Sequence, residues 1–253
     1  MVDGIDLLAR FALKVNELEY CGPKHVYTQF SEYIGGNHDK QHQDDIRNAV
    51  KEFRGLYPYL SVIAEKLGKD FLDPEVVEAY WIGNSSLKRF TTQDMHKIVD
   101  KLEVNGLMPR YAAEVRSNLP ENVVPHHNFH AIYVDVGNLM GAVNRTIQNM
   151  DNCKTIPGRL LEILDDKRML VYTQSLREDH GKLYLADDTK IAVYNPAWLS
   201  GIKKGDYVAL HWGIACVSLT HQQVDDMLTF TYRMLELENM KHNMEHAKKK
   251  FGL

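Results

Sequence analysis

The sequence predicts an α+β chain in which an all-helical N-terminal domain is followed by a small β-barrel and a long C-terminal helix. Three observations carry this. Apolar residues recur at three- and four-residue spacing from residue 7 to about residue 115; two-residue alternation takes over after about residue 125; helical spacing returns from Val224 to Leu235. The 253 residues are 44% hydrophobic and 25% charged, which suits one or two globular domains and excludes disorder of the bulk. The boundaries read as a helical domain over 1–124, a connecting strand and helix over 125–152, and a barrel with its helix over 153–253.

Each element has its own signal. Leu7, Leu8, Phe11 and Ala12 begin the first helix, which Cys21-Gly22-Pro23 breaks. Val26, Phe30, Tyr33 and Ile34 carry the second to Gly35-Gly36, and Ile46, Val50 and Phe53 share one face of a charged third. Leu60, Ile63, Ala64 and Leu67 form the next stripe, between Pro58 and Gly68. Asp73-Pro74-Glu75 is a helix start, an N-cap followed by proline in the first turn, after which Val76, Val77, Tyr80 and Trp81 point inward. Thr91 or Thr92 caps a helix carrying Met95, Ile98, Val99 and Leu102, ended by Asn105-Gly106, and residues 111–115 start a short one. Residues 129–136 read as a strand, and Leu139, Met140, Val143, Ile147 and Met150 as a helix. Strands are expected at 158–164, 169–174, 182–185, 190–194 and 206–215, with turns at Asp165-Asp166 and Ala186-Asp187-Asp188. Five short strands in so little chain suggest a closed or nearly closed barrel. Val224, Met227, Leu228, Met234 and Leu235 mark the last helix, whose polar tail from Glu236 is expected to project.

Composition removes several function classes. Lys and Arg number 30 against 34 Asp and Glu, a net charge of −4, and no basic patch advertises a nucleic-acid partner. No apolar run reaches the ~18 residues a membrane span needs, and the start lacks a signal-type core, so a soluble, cytoplasmic chain is expected. Phosphate-binding glycine loops and a Gly-x-Ser-x-Gly turn are absent, leaving nucleotide and serine-hydrolase chemistry without support. Cys21, Cys153 and Cys216 are too few and scattered for a disulfide framework.

The β part carries two motifs. The first is Cys153-Lys154-Thr155-Ile156-Pro157-Gly158-Arg159-Leu160; the second is Gly205-Asp206-Tyr207-Val208-Ala209-Leu210-His211-Trp212-Gly213-Ile214-Ala215, followed by a leucine-rich helix. Together they resemble the signature of the HypC/HupF hydrogenase assembly chaperones over residues 153 to about 236. The resemblance implies an OB-like barrel and a non-enzymatic assembly role in the cytoplasm. It further implies a protein partner, a maturation factor or metalloenzyme subunit, contacted through Cys153, Ile156, Pro157 and Gly158. Cys153 would be the ligand of an iron fragment bearing carbonyl and cyanide, with His211 beside it; a soft thiolate suits such iron, and an imidazole can co-ligate. In that family the cysteine is N-terminal, whereas here 152 residues precede it. Because the two positions converge in the resembled family, Cys153 Sγ is expected near His211, where an imidazole, if protonated, would favour the thiolate.

A second donor cluster is Pro125-His126-His127-Asn128-Phe129-His130. On a strand or a helix, His126 and His130 share a face and form the minimum of a metal site. A further ligand would come from Cys21, His25, Glu78 or Cys153. This supports the alternative function, a metal-dependent enzyme with a His126/His127/His130 site at the domain junction, holding zinc or another divalent metal. The bland reading of the same histidines is a polar segment bonded to backbone carbonyls.

Overall fold

A computed structural model describes residues 3–135, 144 and 146–251, the side chains of residues 135 and 244–251 excepted. Seven helices come first: α1 (Gly4–Glu17), α2 (Val26–Ile34), α3 (Lys40–Lys51), α4 (Tyr57–Leu67), α5 (Pro74–Trp81), α6 (Thr92–Val104) and α7 (Pro109–Ser117). Local chemistry sets their ends. Asp3, Asp39 and Asp73 accept backbone N–H groups of the first turns of α1, α3 and α5, and Thr91 and Asp94 form a reciprocal capping box on α6. Asn84 caps the short 3₁₀ turn Ser85–Arg89 rather than closing α5. Gly83, at φ +91°, makes the turn between them; a Cβ there would lie 2.3 Å from the Phe230 ring.

The expected strand at 129–136 is not one. Phe129–Asp135 is a π-helical segment, and Val136, like Leu139, Met140 and Val143 of the expected helix, lies outside the described residues. The apolar run Phe129, Ala131, Ile132, Tyr133 and Val134 is buried all round, and an all-apolar run has no period to separate helix from strand. The helix α8 (Ile147–Cys153) follows, capped by Thr146.

The barrel is closed, in the order β1-β2-β3-β5-β4, from β1 (Ile156–Ile163), β2 (Arg168–Asp179), β3 (Lys182–Val193), β4 (Tyr207–His211) and β5 (Ile214–Leu219). All pairs are antiparallel except β3 with β5. Five strands were expected, divided differently. Ala186, Asp187 and Asp188 pair with Ser175, Gln174 and Thr173 inside one long hairpin, so they make no turn. The stretch 206–215 instead folds back at Trp212-Gly213, both at positive φ (48° and 74°), the backbone a two-residue hairpin requires.

The helix α9 (His221–Phe251) closes the molecule, packing on the π segment, β1, β3 and β5. Its expected projection from Glu236 is corrected: Leu237 and Glu238 are buried, and the Asn239 amide bonds both backbone groups of Leu183 at 2.8 Å. One apolar core joins the helices to Cys153, Leu176, Ala209 and Cys216 of the β part; a smaller one fills the barrel around Leu160, Met169 and Val208. Among the described residues no helix is long and apolar enough to cross a membrane.

Candidate metal centre

Pairing of β1 with β4 places Ile156 opposite Leu210, so the chain just before β1 runs beside His211. Cys153 is the last residue of α8, and the Trp212 N–H bonds the Asn152 carbonyl at 2.8 Å, tying the β4–β5 turn to that helix end. A buried ion cluster holds the same place from the other side. The Asp151 carboxylate takes Lys154 Nζ at 2.7 Å and Lys190 Nζ at 2.5 Å, and also accepts the Leu176 N–H. Lys154 is 1% exposed; burial pulls its ammonium down to about 8 against the pull of Asp151.

The helical part contributes His127. Its neighbour Asn128 is wholly buried and acts as a strand partner: its side-chain oxygen accepts the Thr155 N–H at 2.8 Å and its amide donates to the Thr155 carbonyl at 2.9 Å. The amide also donates to Thr231 of α9. Because Asn128 grips the chain two residues after Cys153, His127 is set against that cysteine. The donor atoms of His127, Cys153 and His211 all lie within 4.8 Å of one another, and all three residues are buried. His127 Nε2 stands 3.7 Å from Cys153 Sγ. Tetrahedral nitrogen and sulfur ligands with bonds of ~2.0–2.3 Å are about 3.3–3.7 Å apart, which the His127–Cys153 pair meets, while the group as a whole spans up to 4.8 Å and would draw in on an ion.

The hydrogen bonds decide which atoms are free to ligate. His211 Nδ1 is 2.7 Å from the Phe11 carbonyl and must donate to it, so the neutral ring carries its lone pair on Nε2. That atom is buried and makes no well-formed hydrogen bond among the described residues, although the Cys153 backbone lies close enough to act on the ring. A ring oriented through a carbonyl, with the other nitrogen bare, is how metal-binding imidazoles are held. His127 is different. Its Nε2 donates to the Cys153 carbonyl at 2.8 Å and its Nδ1 lies 3.0 Å from the Tyr80 hydroxyl. It can ligate only by moving its proton to Nδ1, where the Tyr80 oxygen can accept it.

Burial sets the charges. It pulls His211 down to about 4 and His127 well below the ordinary range, a neighbouring imidazole adding to the shift in His127. It pushes the Cys153 thiol up to about 12, opposed by the Trp212 indole N–H. The expectation that a protonated His211 would favour the thiolate is therefore corrected: both groups are neutral. Neutral imidazoles are ready ligands, and the thiol must lose its proton when it binds.

The donors line a cavity of about 30 Å³, room for about one water or one ion. Trp81 stacks on Phe11 at 4.9 Å and packs on His127 at 4.4 Å and His211 at 5.2 Å. Tyr20 and Trp212 form the opposite wall, 5.1 Å apart. Trp212 is uncommon in the left-handed region for so large a side chain, and its neighbour on the hairpin tip is Gly213.

The expected His126/His130 pair is corrected, because the grouping holds His127 in place of both. His126 stacks on Phe230 at 5.5 Å and accepts the Asn128 N–H through Nδ1. His130 lines the cavity but sits 3.3 Å from the Tyr59 hydroxyl. The short π segment with the turn before it breaks the i, i+4 register that pairing required. Burial pulls both to about 4. The partner contact expected at Cys153, Ile156, Pro157 and Gly158 is corrected as well: all four are buried, Gly158 with Leu210 and Val171 around its Cα. Cys216 is buried and bonds its own backbone neighbourhood; His25 and Glu78 are not among the grouped donors, Glu78 bonding Gln223 of α9.

Sequence reading found Cys153 and His211, assigned His127 to a separate histidine site, and missed Asn128 and Trp212. A signal was present: Asn128 follows His127 directly, and a buried asparagine flanked by histidines is a polar residue that demands a backbone partner. No curated protein and no solved structure matches the chain. Over residues 1–245 it matches the family of unknown function DUF6390, and the chain belongs to that family.

Proposed function

We propose that the protein is a metallocofactor assembly scaffold that holds a metal ion at Cys153 and His211, with His127 as third donor, and presents it to a partner protein. The observation that carries the reading is the bare, buried Nε2 of His211 beside the Cys153 thiol. An unpaired buried acceptor costs about 1–3 kcal/mol, and a cation bound there removes that cost. The likeness of the two motifs to HypC-type chaperones supports the same two residues. Exposed Ile191 and Val193 on β3 replace the buried Ile156–Gly158 stretch as the place to seek the partner; Ile191 borders a second cavity that His211 and Trp212 also line. Of the alternative His126/His127/His130 enzyme site, only His127 is among the grouped donors of the described residues.

The test is elemental analysis of the full chain purified without oxygen. Iron or zinc near one equivalent is expected, falling at least tenfold in Cys153→Ser and in His211→Ala, with Cys216→Ser unchanged. Metal-free wild type that takes up neither Fe²⁺ nor Zn²⁺ contradicts the proposal.

A further inference from the structure

The cavity poses a problem of charge. A divalent ion held by His127, His211 and the Cys153 thiolate keeps one net positive charge. Yet among the described residues no Asp, Glu, Lys or Arg side chain lines the cavity; its walls are mostly aromatic and aliphatic, and an uncompensated charge in such surroundings is strongly disfavoured. One more anionic ligand would bring the total to zero. Among the described residues the wall offers a second thiol, Cys21.

Its placement is fixed by the fold. Cys21 lies in the α1–α2 loop, where Gly22 at φ +86° lets the chain pass against the Phe53 ring; a Cβ on Gly22 would lie 2.2 Å from that ring. Asn16 is buried and pins the loop, its amide donating to the carbonyls of Cys21 and Pro23 at 2.8 Å and its oxygen accepting the Tyr27 N–H. The backbone is thus held; the Cys21 thiol lines the cavity but lies outside the group of donors within 4.8 Å of one another, so it reaches the ion only by turning its side chain. Cys21 lies close enough to Cys153 for charge on one to disfavour charge on the other. Such a pair of thiols ionises together only with a cation between them.

We propose that Cys21 supplies a second thiolate to the His127–Cys153–His211 centre, completing a neutral Cys₂His₂ set for a divalent ion of zinc(II) type. The proposal rests on the metal-holding reading above and extends it. Two thiolates and two imidazoles satisfy tetrahedral zinc and leave no open position. Cys21 and Tyr20 also line an outer cavity of about 320 Å³ bordered by Glu19, Lys24, Glu52 and Arg54. Release of Cys21 from the ion would therefore open the centre on that side.

Cobalt(II) is the probe, added to the reduced full-length protein without oxygen, because sulfur-to-cobalt charge transfer grows with the number of bound thiolates. The expected spectrum is that of tetrahedral cobalt with two thiolates. The charge-transfer intensity should fall by about half in Cys21→Ser, fall at least tenfold in Cys153→Ser, where the ion itself is lost, and stay unchanged in Cys216→Ser. Full intensity in Cys21→Ser, with loss in Cys153→Ser, overturns the role of Cys21 and leaves the three-donor centre standing. Absence of any cobalt or zinc uptake by the wild type overturns both. Since Cys21→Ser could fold poorly, the wild type gives a second reading. One equivalent of Zn²⁺ should slow alkylation of the half-buried Cys21 at least tenfold, and an unchanged rate with zinc bound overturns the proposal.

Discussion

Four buried histidines stay neutral at neutral pH because the fold removes the water that would solvate their cations. His126, His130 and His211 are held at about 4 against an ordinary 6.5, and His127 is likewise held well below it. The unfolded chain takes up protons below about 6.5 while the folded chain does not until about 4. Stability is therefore complete above the ordinary imidazole range and is lost as pH falls toward about 4, each group adding a slope of ~1.4 kcal/mol per pH unit. Urea midpoints measured between about pH 7 and pH 4.5 should fall steeply, with a linkage of three or more protons; a flat profile contradicts the burial of these rings. The cysteines give a second expectation. Burial raises the thiols of both Cys153 and Cys21, but Cys153 is 4% exposed and Cys21 is only half-buried, so in metal-free protein Cys153 should alkylate more slowly than Cys21. Faster labelling of Cys153, followed by peptide mapping, contradicts this. Cys153 and His211 were legible in the sequence because two spaced motifs marked them; their protonation states were not, since those depend on burial by the other half of the chain.

Three asparagines work at the level of elements. Asn16 holds the adjoining Cys21 loop, Asn128 holds the start of β1, and Asn239 holds the β2–β3 hairpin against α9, each through backbone groups, the last two those of a distant segment. Each amide offers one donor and one acceptor side, as a peptide group does, and so stands in for a missing strand. Asn128→Ala would leave the buried Thr155 N–H and carbonyl without partners, a loss of about 2–5 kcal/mol by chemical denaturation. It should also weaken metal binding, because His127 loses its anchor; a variant within about 0.5 kcal/mol of wild type contradicts the clamp. Such contacts explain what the sequence concealed. Helix starts at Asp73 and Thr91 were readable because their caps are local, three residues or fewer. The π segment was not, because an apolar run buried on every side carries no period. Nor was the tail of α9, whose polar residues found partners on a hairpin more than fifty positions upstream.

Taken as a whole, the molecule has its centre where its two parts meet. The helical part supplies His127 and the Phe11 carbonyl that orients His211; the β part supplies Cys153 and His211 itself. The main core likewise crosses the boundary expected near residue 152, joining Leu8, Phe11 and Trp81 to Ala209, Cys216 and Met227. The full chain should therefore unfold in one cooperative transition by calorimetry, and a fragment of residues 153–253 alone should not fold stably. Two separated transitions, or a stable fragment, would contradict a shared core. The alternation of periods made the two parts visible in sequence, but the seam between them was invisible, since it is built from residues some 25 to 200 positions apart. X-ray absorption by the zinc-loaded full-length protein tests the centre most directly. The result expected is a coordination shell with at least one sulfur at ~2.3 Å and two imidazole nitrogens at ~2.0–2.1 Å; a shell of oxygen and nitrogen without sulfur would contradict it.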